Sequence, residues 1–352
     1  MKNFLFTILA ILALLGSQSC GKDTDEFIPV TTKIDTIKTI KNDTVWQEDL
    51  FKITNISTSL LPPLSVEKLM ADLAADPTKH ELSAERGGKI VTPDNVTVEF
   101  PANSCTTQNN RPCTGTLSVE ILVLRKKGEF LLNNVPTTSG GKQLISGGAV
   151  TVKIKQNDDE VKLARNITYK VRYLPATAVE EGMKLFEGKF EGRFNFDWNL
   201  ISTPATSANS PVVRFWSDTV QGRRTTGYEL ILDRFNWINC DKFSNDTATL
   251  TNKFCVTLPD TFTNQNCSVF AVFKDINSVV SLTGDGKTKQ FCVPSGYKGL
   301  PIGRAINIIT IATIKDRIYI GKKEATITAN ALIRVEPVFT TKAAAKELIS
   351  NL

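Results

Sequence analysis

Apolar and polar residues alternate strictly along much of the chain. Between residues 96 and 100, two valines and a phenylalanine occupy one side of the run, and a threonine and a glutamate occupy the other. The same period of two recurs at residues 117–123, 150–154 and 167–173. This period predicts strands with one buried face and one wet face. Turn residues separate the runs too closely for crossover helices, so the pattern predicts antiparallel sheets and not a parallel α/β fold.

A second group of short β-branched and aromatic runs begins at residue 226. Its members lie at residues 228–232, 254–258, 269–273, 279–282, 306–314, 318–320 and 325–327. Short strands at this spacing, with Gly284-Asp285-Gly286 as one of the turns, are typical of a second all-β domain. We therefore predict an all-β fold of two antiparallel β-sandwich domains in tandem, at residues 81–185 and 225–352. Residues 186–224 contain connecting strands that fit either domain.

Two short helices are predicted to flank these domains. Ser65 is a suitable N-cap for a helix near residues 65–75, which Asp76-Pro77 ends. Residues 341–351 predict an amphipathic helix that docks on the second domain. Residues 63–80 are therefore a short helix and a linker, and the linker contains His80, the only histidine of the chain.

The first 19 residues have the pattern of a secretory signal peptide. Lys2 precedes an apolar run over residues 4–15 that only Thr7 interrupts, and this run is too short to span a bilayer. The end of the leader, Ser19-Cys20-Gly21, resembles the relaxed lipoprotein signals of the Bacteroidota, in which the cysteine thiol is acylated. The resemblance implies lipidation of Cys20 and a tether over residues 20–62. The alternative is an ordinary secreted protein in which Cys20 is incidental.

The residues after Cys20 bear on location. Lys22-Asp23-Thr24-Asp25-Glu26 resembles the signal that sends lipoproteins of that phylum to the outer face of the outer membrane. We therefore expect an outer membrane lipoprotein that is displayed at the cell surface and contacts the membrane through its lipid. Retention on the periplasmic side is the alternative, because an acidic, solvated tether has much the same composition.

Three segments carry a family resemblance. Gly87-Gly88, Pro93 and residues 98–101 resemble the start of ZU5-type domains, which are β-sandwiches known from scaffold and receptor proteins. Residues 136–148 and 237–243 resemble segments of uncharacterised Bacteroidota surface lipoproteins. The ZU5-like resemblance covers residues 81–175 and implies a binding or interaction module without a catalytic motif.

Seven cysteines include six beyond the leader, an even number that predicts disulfides in an exported protein. Cys105 and Cys113 flank a short polar loop, and theirs is the one pairing that we predict by name. Three connectivities remain open for the other four cysteines, which are Cys240, Cys255, Cys267 and Cys292. A metal site is the alternative, but no CxxC spacing occurs.

The amino-acid composition supports few kinds of active site. A single histidine excludes a site with two histidine zinc ligands, and the formal charge of +6 is spread too thinly for a nucleic-acid surface. The sequence predicts no cofactor. A carboxylate pair for glycoside hydrolysis stays open; the candidates are Asp197, Asp218, Glu229, Asp233 and Asp241.

These observations favour a cell-envelope lipoprotein that acts as an adhesion or scaffold module and binds a protein or glycan. The rival functions are a glycan-active hydrolase and a purely structural envelope protein.

Overall fold

A computed structural model describes residues 64–191, 195–202, 210–220 and 223–352. The predicted signal peptide, Cys20 and the tether lie outside the described residues. Most of the described chain is in strands, which confirms the all-β prediction. Three helices are described: α1 (Val66–Leu73), α2 (Lys127–Leu132) and α3 (Lys342–Ser350). The first and last are the two predicted helices, whereas α2 was not predicted.

Fifteen strands form the N-terminal β region, residues 78–243. Their bounds are β1 (Thr78–Ser83), β2 (Gly88–Val91), β3 (Thr97–Phe100), β4 (Cys105–Thr106), β5 (Thr116–Leu124), β6 (Thr138–Ser139), β7 (Lys142–Gln156), β8 (Asp159–Glu160), β9 (Lys162–Leu163), β10 (Tyr169–Tyr173), β11 (Lys184–Glu191), β12 (Asn195–Leu200), β13 (Val212–Val220), β14 (Arg223–Leu232) and β15 (Trp237–Phe243).

Ten strands form the C-terminal β region, residues 250–340. Their bounds are β16 (Leu250–Thr251), β17 (Cys255–Thr257), β18 (Cys267–Phe273), β19 (Val279–Asp285), β20 (Gln290–Cys292), β21 (Leu300–Pro301), β22 (Ala305–Ile314), β23 (Arg317–Thr326), β24 (Leu332–Arg334) and β25 (Val338–Thr340).

Two large sheets of the N-terminal region face each other. The first runs β1-β5-β7-β15-β11-β12, with β6 and β8 attached to β7, and the second runs β13-β14-β10-β3-β2. All their strand pairs are antiparallel, and the inward residues of both sheets share one hydrophobic cluster. The period-two alternation of the sequence thus lines the space between the sheets.

Strands that we placed outside the first domain belong to these two sheets. Both β11 and β12 extend the first sheet, and β13 and β14 extend the second, so the described strands within residues 186–224 belong to these sheets. In addition, β14 pairs with β10 and β15 pairs with β7, although β14 crosses the expected boundary at residue 225 and β15 lies beyond it. The cause is packing, because inward side chains of β14 such as Tyr228 and Leu230 fill the N-terminal cluster.

In the C-terminal region, β16 and β21 form a separate antiparallel pair, and the other eight strands form one sheet that curls on itself. Its order is β24-β17-β20-β19-β18-β22-β23-β25, and only the β17–β24 pair is parallel. The two terminal strands, β24 and β25, are joined by residues 335–337 alone. Val335 in this link is buried in the cluster that the curled sheet encloses.

A third hydrophobic cluster lies between the two regions. It combines the three helices with the outer face of the β7 sheet, including Phe186 and Trp198, and with Phe270 and Ile309 of the C-terminal sheet. Strands such as β22 are therefore buried on both faces, which explains their nearly continuous apolar sequence.

The predicted linker is shorter than expected. Strand β1 starts at Thr78, and His80 lies within it, opposite Val119 of β5. The imidazole Nε2 lies 2.9 Å from the hydroxyl of Thr78.

Candidate functional site

A groove of about 370 Å³ opens where the three helices meet β5. Its walls are largely aliphatic: Leu73 at the end of α1, Leu132 of α2, Ile349 of α3 and residues 121–124 of β5. No tryptophan, tyrosine or phenylalanine lines it. The volume is in the lower part of the range of ligand pockets, which is roughly 300–1,000 Å³.

The helices that form the groove are fixed by local sequence. The hydroxyl of Ser65 caps α1 by accepting the N–H of Lys68 at 3.2 Å, and the hydroxyl of Thr341 caps α3 in the same way through Ala344. In α2, a Cβ atom at Gly128 would lie 2.1 Å from the carbonyl oxygen of Ile349. Only glycine therefore allows α2 and α3 to approach this closely.

The rim of the groove carries charges of both signs. Asp94 forms an ion pair with Arg125, and the Glu129 carboxylate accepts the backbone N–H groups of Arg125 and Lys126, the latter at 2.9 Å. These two carboxylates are therefore satisfied within the protein. The ammonium groups of Lys126 and Lys346 form no hydrogen bond or ion pair with another residue that the structure describes. They are the cations that the groove offers to a ligand.

Helix α2 is also bound to the C-terminal region. The Lys127 ammonium donates to the carbonyl oxygens of Phe273 at 2.6 Å and Lys274 at 3.2 Å. Burial lowers the pKa of Lys127, and the nearby Asp275 opposes this shift. The sequence analysis did not identify the groove; the basic triplet at residues 125–127, directly after β5, is the sequence feature that lies at its rim.

The five candidate carboxylates do not line the groove. Asp197 accepts the N–H of Gly140 at 3.0 Å, and Asp218 accepts the N–H of Thr219 at 2.7 Å. Glu229 pairs with Arg172 across the outer face of the second sheet. These three carboxylates therefore lie apart from one another and have different hydrogen-bond or ion-pair partners.

Asp233 does lie close to a second carboxylate, that of Glu187, but a cation lies between the two. Arg234 donates to Asp233 at 2.7 Å and to Glu187 at 3.0 Å. Glu187 was not among the predicted residues. A glycosidase binds the scissile bond between its two carboxyl groups, and here the Arg234 guanidinium takes that place.

Asp241 is the fifth candidate, and it is fully buried. One oxygen accepts the amide N–H of Asn239 at 2.5 Å, and the other has no hydrogen-bond partner within the described chain. Burial raises the pKa of Asp241 well above its ordinary value. A closed interior offers no path to a substrate, so its role is structural.

Residues 136–148 and residues 237–243 meet around Asp241. Asp241 lies opposite Ser146 in the β15–β7 pair, next to a register shift. The Ser146 hydroxyl donates to the Asn239 side chain at 3.0 Å. At Gly147, a Cβ would lie 2.7 Å from the Tyr228 ring, so the glycine lets the two sheets pack closely here.

The first of these segments, residues 136–148, also holds the two β regions together, in a contact that we call the seam. The Asn277 amide donates to the carbonyl oxygens of Arg125 at 2.9 Å and Ser146 at 2.8 Å. Nearby, the hydroxyls of Thr137 and Ser278 lie 2.9 Å apart, and both are buried. Residues 136–148 therefore join the two β regions, and residues 237–243 pair with them inside the N-terminal region.

The cysteines differ from the predicted pairing. The structure has a disulfide between Cys255 and Cys292, which lie opposite each other on β17 and β20. Cys105 and Cys113 are free thiols, although the N–H of Cys113 donates to the carbonyl oxygen of Cys105 at 3.1 Å. The pair that we named is thus not formed, and burial raises the pKa of Cys105 to about 11.

The other two cysteines, Cys240 and Cys267, are buried free thiols as well. Burial raises the pKa of Cys267 to about 12 and raises the pKa of Cys240 well above its ordinary value. Neither thiol belongs to a metal-ligand cluster, since the described residues contain no group of three or more His, Cys, Asp or Glu side chains placed to hold a metal ion.

Comparison with known proteins gives no relative: no family model, no curated protein and no solved structure matches the chain. Within the described ranges, no helix combines the length and the apolar character needed to cross a bilayer.

Proposed function

We propose that this chain is a lipid-anchored binding module of the bacterial outer membrane, displayed at the cell surface, and that its partner is a protein. The observation that carries the binding function is the groove between the helices and β5, whose aliphatic walls and charged rim fit an apolar peptide segment with an acidic residue. The ZU5-like resemblance of residues 81–175 and the tandem arrangement of two sandwich domains belong to the same proposal.

Charge and shape favour a peptide over a glycan. Sugar rings stack on aromatic faces, but the residues that line the groove include no aromatic side chain. Its free cations, Lys126 and Lys346, complement a carboxylate, and Leu73, Leu132 and Ile349 supply apolar contact area. Asp76 and Glu129 also line the groove and together equal the charge of the two lysines, so the attraction of an acidic residue rests on the unpaired ammonium groups and not on a net positive charge.

A selection of random peptides on phage against the mature chain tests the groove. We expect enriched peptides to combine aliphatic or aromatic residues with Asp or Glu. Ala74→Trp fills the groove and should reduce binding of the enriched peptides at least about tenfold, which corresponds to about 1.4 kcal/mol. Ala71→Trp is the matched control, because Ala71 lies on the exposed side of the same helix.

The groove is the wrong site if Ala74→Trp and Ala71→Trp bind the enriched peptides equally well. Lys126→Glu together with Lys346→Glu should reverse the preference for acidic peptides. If no peptide is enriched, and the native chain binds glycans on an array that Ala74→Trp does not bind, the partner is a glycan and not a protein.

The anchor and the location need their own test. Mass spectrometry of the purified native protein should find an acylated Cys20 at the mature N-terminus, and Cys20→Ser should release the protein from membranes. Protease shaving of intact cells should release peptides of residues 64–352. Survival of this region until the outer membrane is opened would place it on the periplasmic side.

The hydrolase alternative has no supporting observation in the described chain. The carboxylates named for it have separate partners or share Arg234, and Asp241 is sealed in the interior.

A further inference from the structure

The strand β13 is an open edge of the second N-terminal sheet. Among the described residues it pairs with β14 alone and ends the strand order of that sheet. It spans Val212–Val220, nine residues, whereas the other ends of the large sheets have six residues or fewer. Proteins usually shorten or cover such edges, because free N–H and C=O groups invite another strand.

The open edge also exposes apolar surface. The ring of Phe215 is 50% exposed, and its centroid lies 5.9 Å from that of Tyr228. Val212 is 37% exposed on the same strand. An exposed aromatic ring on an unpaired strand is typical of a surface that another strand covers.

The sequence of β13 complements itself when it is paired antiparallel about a two-fold axis. With the axis at Trp216, Arg214 of one copy lies opposite Asp218 of the other, and symmetry forms this ion pair twice. The same register puts Phe215 opposite Ser217. Arg214 forms no ion pair or hydrogen bond elsewhere in the described part of the chain, so it is available for this contact.

Only this register pairs the charges. A two-fold axis perpendicular to the sheet keeps every side chain on its own face, so opposed positions must share a face. Moving the axis to Phe215 puts Arg214 opposite Trp216, and moving it to Ser217 puts Asp218 opposite Trp216. Both alternatives leave Arg214 and Asp218 apart.

The Trp216 register also covers the exposed rings. In an antiparallel pair, diagonal neighbours lie about 7–8 Å apart, which aromatic side chains can bridge. The two Phe215 residues are diagonal neighbours across the axis, on the face opposite to that of Arg214 and Asp218. One surface therefore satisfies the backbone edge, the exposed phenylalanine and the two charges.

We propose that β13 is a homodimer interface, in which two copies of this chain join their second sheets edge to edge about Trp216. The occupant of the edge is a second copy, because this register places Arg214 of each copy opposite Asp218 of the other, and Arg214 forms no ion pair with Glu229, which lies opposite it on β14. This inference does not depend on the groove or on the lipid anchor.

The test uses the full mature chain with Cys20→Ser, so that it carries no lipid, and measures mass by sedimentation over a range of concentrations. We expect a concentration-dependent dimer. Arg214→Asp sets two aspartates opposite each other, and Asp218→Arg sets two arginines opposite each other. Each should weaken dimerisation at least tenfold.

An equimolar mixture of the two single variants should dimerise again, because each copy then complements the other. The double variant Arg214→Asp/Asp218→Arg should dimerise with itself. Lys298→Asp is the matched control: it makes the same charge change at an exposed position of the C-terminal region and should leave the dimer intact.

Phe215→Thr gives a second test that does not alter charge. It removes an exposed ring from a folded strand and should weaken the dimer at least tenfold, with an unchanged near-ultraviolet circular dichroism spectrum. A native chain that stays monomeric at millimolar concentration overturns the proposal. The proposal also fails if both single charge variants dimerise as strongly as the native chain. It fails likewise if their mixture stays monomeric although each variant is folded.

Discussion

The two β regions treat the ends of their sheets in different ways. The C-terminal region joins its terminal strands, β24 and β25, through three residues and adds a disulfide between β17 and β20 near one end. The N-terminal region, as far as its residues are described, leaves its second sheet open at β13, with Phe215 exposed. A sheet that curls on itself protects its edges without help, whereas an open sheet leaves its edge to a partner. The comparison suggests a stable support in one region and a contact surface in the other.

The regions nevertheless share a hydrophobic cluster and the hydrogen-bonded seam. Trp198 of β12 illustrates this, because it is fully buried in the shared cluster and its indole N–H donates to the carbonyl oxygen of Pro136 at 2.9 Å. The following predictions test how far the disulfide-linked C-terminal sheet and the seam determine the stability of each region.

The largest effect is expected from the disulfide of the C-terminal region. Replacing both cysteines, Cys255→Ser with Cys292→Ser, should lower the free energy of unfolding by about 4 kcal/mol, from the chain-entropy estimate for a separation of 37 residues. Urea unfolding followed by hydrogen exchange of the C-terminal region measures it. Dithiothreitol should destabilise the native chain by a similar amount and should not affect the double variant. Equal stability of the oxidised and reduced native chain would contradict the prediction.

The seam should give the next largest effect. Asn277→Ala leaves the buried carbonyl oxygens of Arg125 and Ser146 without this donor, at a cost of about 2–3 kcal/mol. We also expect the two regions to unfold at different urea concentrations in this variant. Fluorescence reports the N-terminal region, which contains Trp198, Trp216 and Trp237. Hydrogen exchange reports the C-terminal region.

Asn264→Ala is the control for the seam, because the Asn264 amide is exposed and makes only a 3.5 Å contact with Gly284 inside the C-terminal region. A single unfolding transition at unchanged stability in Asn277→Ala would show that the shared cluster alone couples the regions.

The effect that is smallest per pH unit concerns the buried carboxyl at the seam. Because the pKa of Asp241 is raised in the folded state, the folded protein keeps a proton that the unfolded chain releases above about pH 4. Stability should therefore fall as pH rises from about 4 through the folded-state pKa, by up to about 1.4 kcal/mol per pH unit. Below about pH 4 both states are protonated, and the group contributes no pH dependence.

Asp241→Asn removes this slope, so the variant should gain stability relative to the native chain as pH rises. Thermal and urea unfolding at several pH values measure the difference. The exposed Glu181→Gln serves as control and should show no such trend. If the native chain and Asp241→Asn keep a constant difference between pH 4 and pH 7, Asp241 is not held protonated by the fold.

Local pattern was sufficient for much of the fold. The alternation at residues 117–123 and 150–154 predicted β5 and the later part of β7, and Ser65 and Asp76-Pro77 bounded α1. A period of two can be read from the sequence because successive side chains of a strand point to opposite faces, one buried and one exposed. It did not reveal α2, whose six residues are too few for a helical period to emerge.

The long-range features needed the assembled chain. Sequence offered three connectivities for four cysteines, and the structure pairs Cys255 with Cys292 because β17 and β20 are neighbours. The groove draws its walls from residues near 73, 122, 130 and 349, which no local window brings together. The sequence did not distinguish Asp241 from the other candidate carboxylates, whereas the structure distinguishes it by its complete burial.

The sequence by itself determined the class of structure, because alternation, caps and turns are properties of neighbouring residues. Only the tertiary structure decided which strands pair, which thiols meet, which sheet closes on itself and which edge stays open. Those choices depend on the match between surfaces from distant segments, such as β7 with β15, and that match appears only when the whole chain is packed.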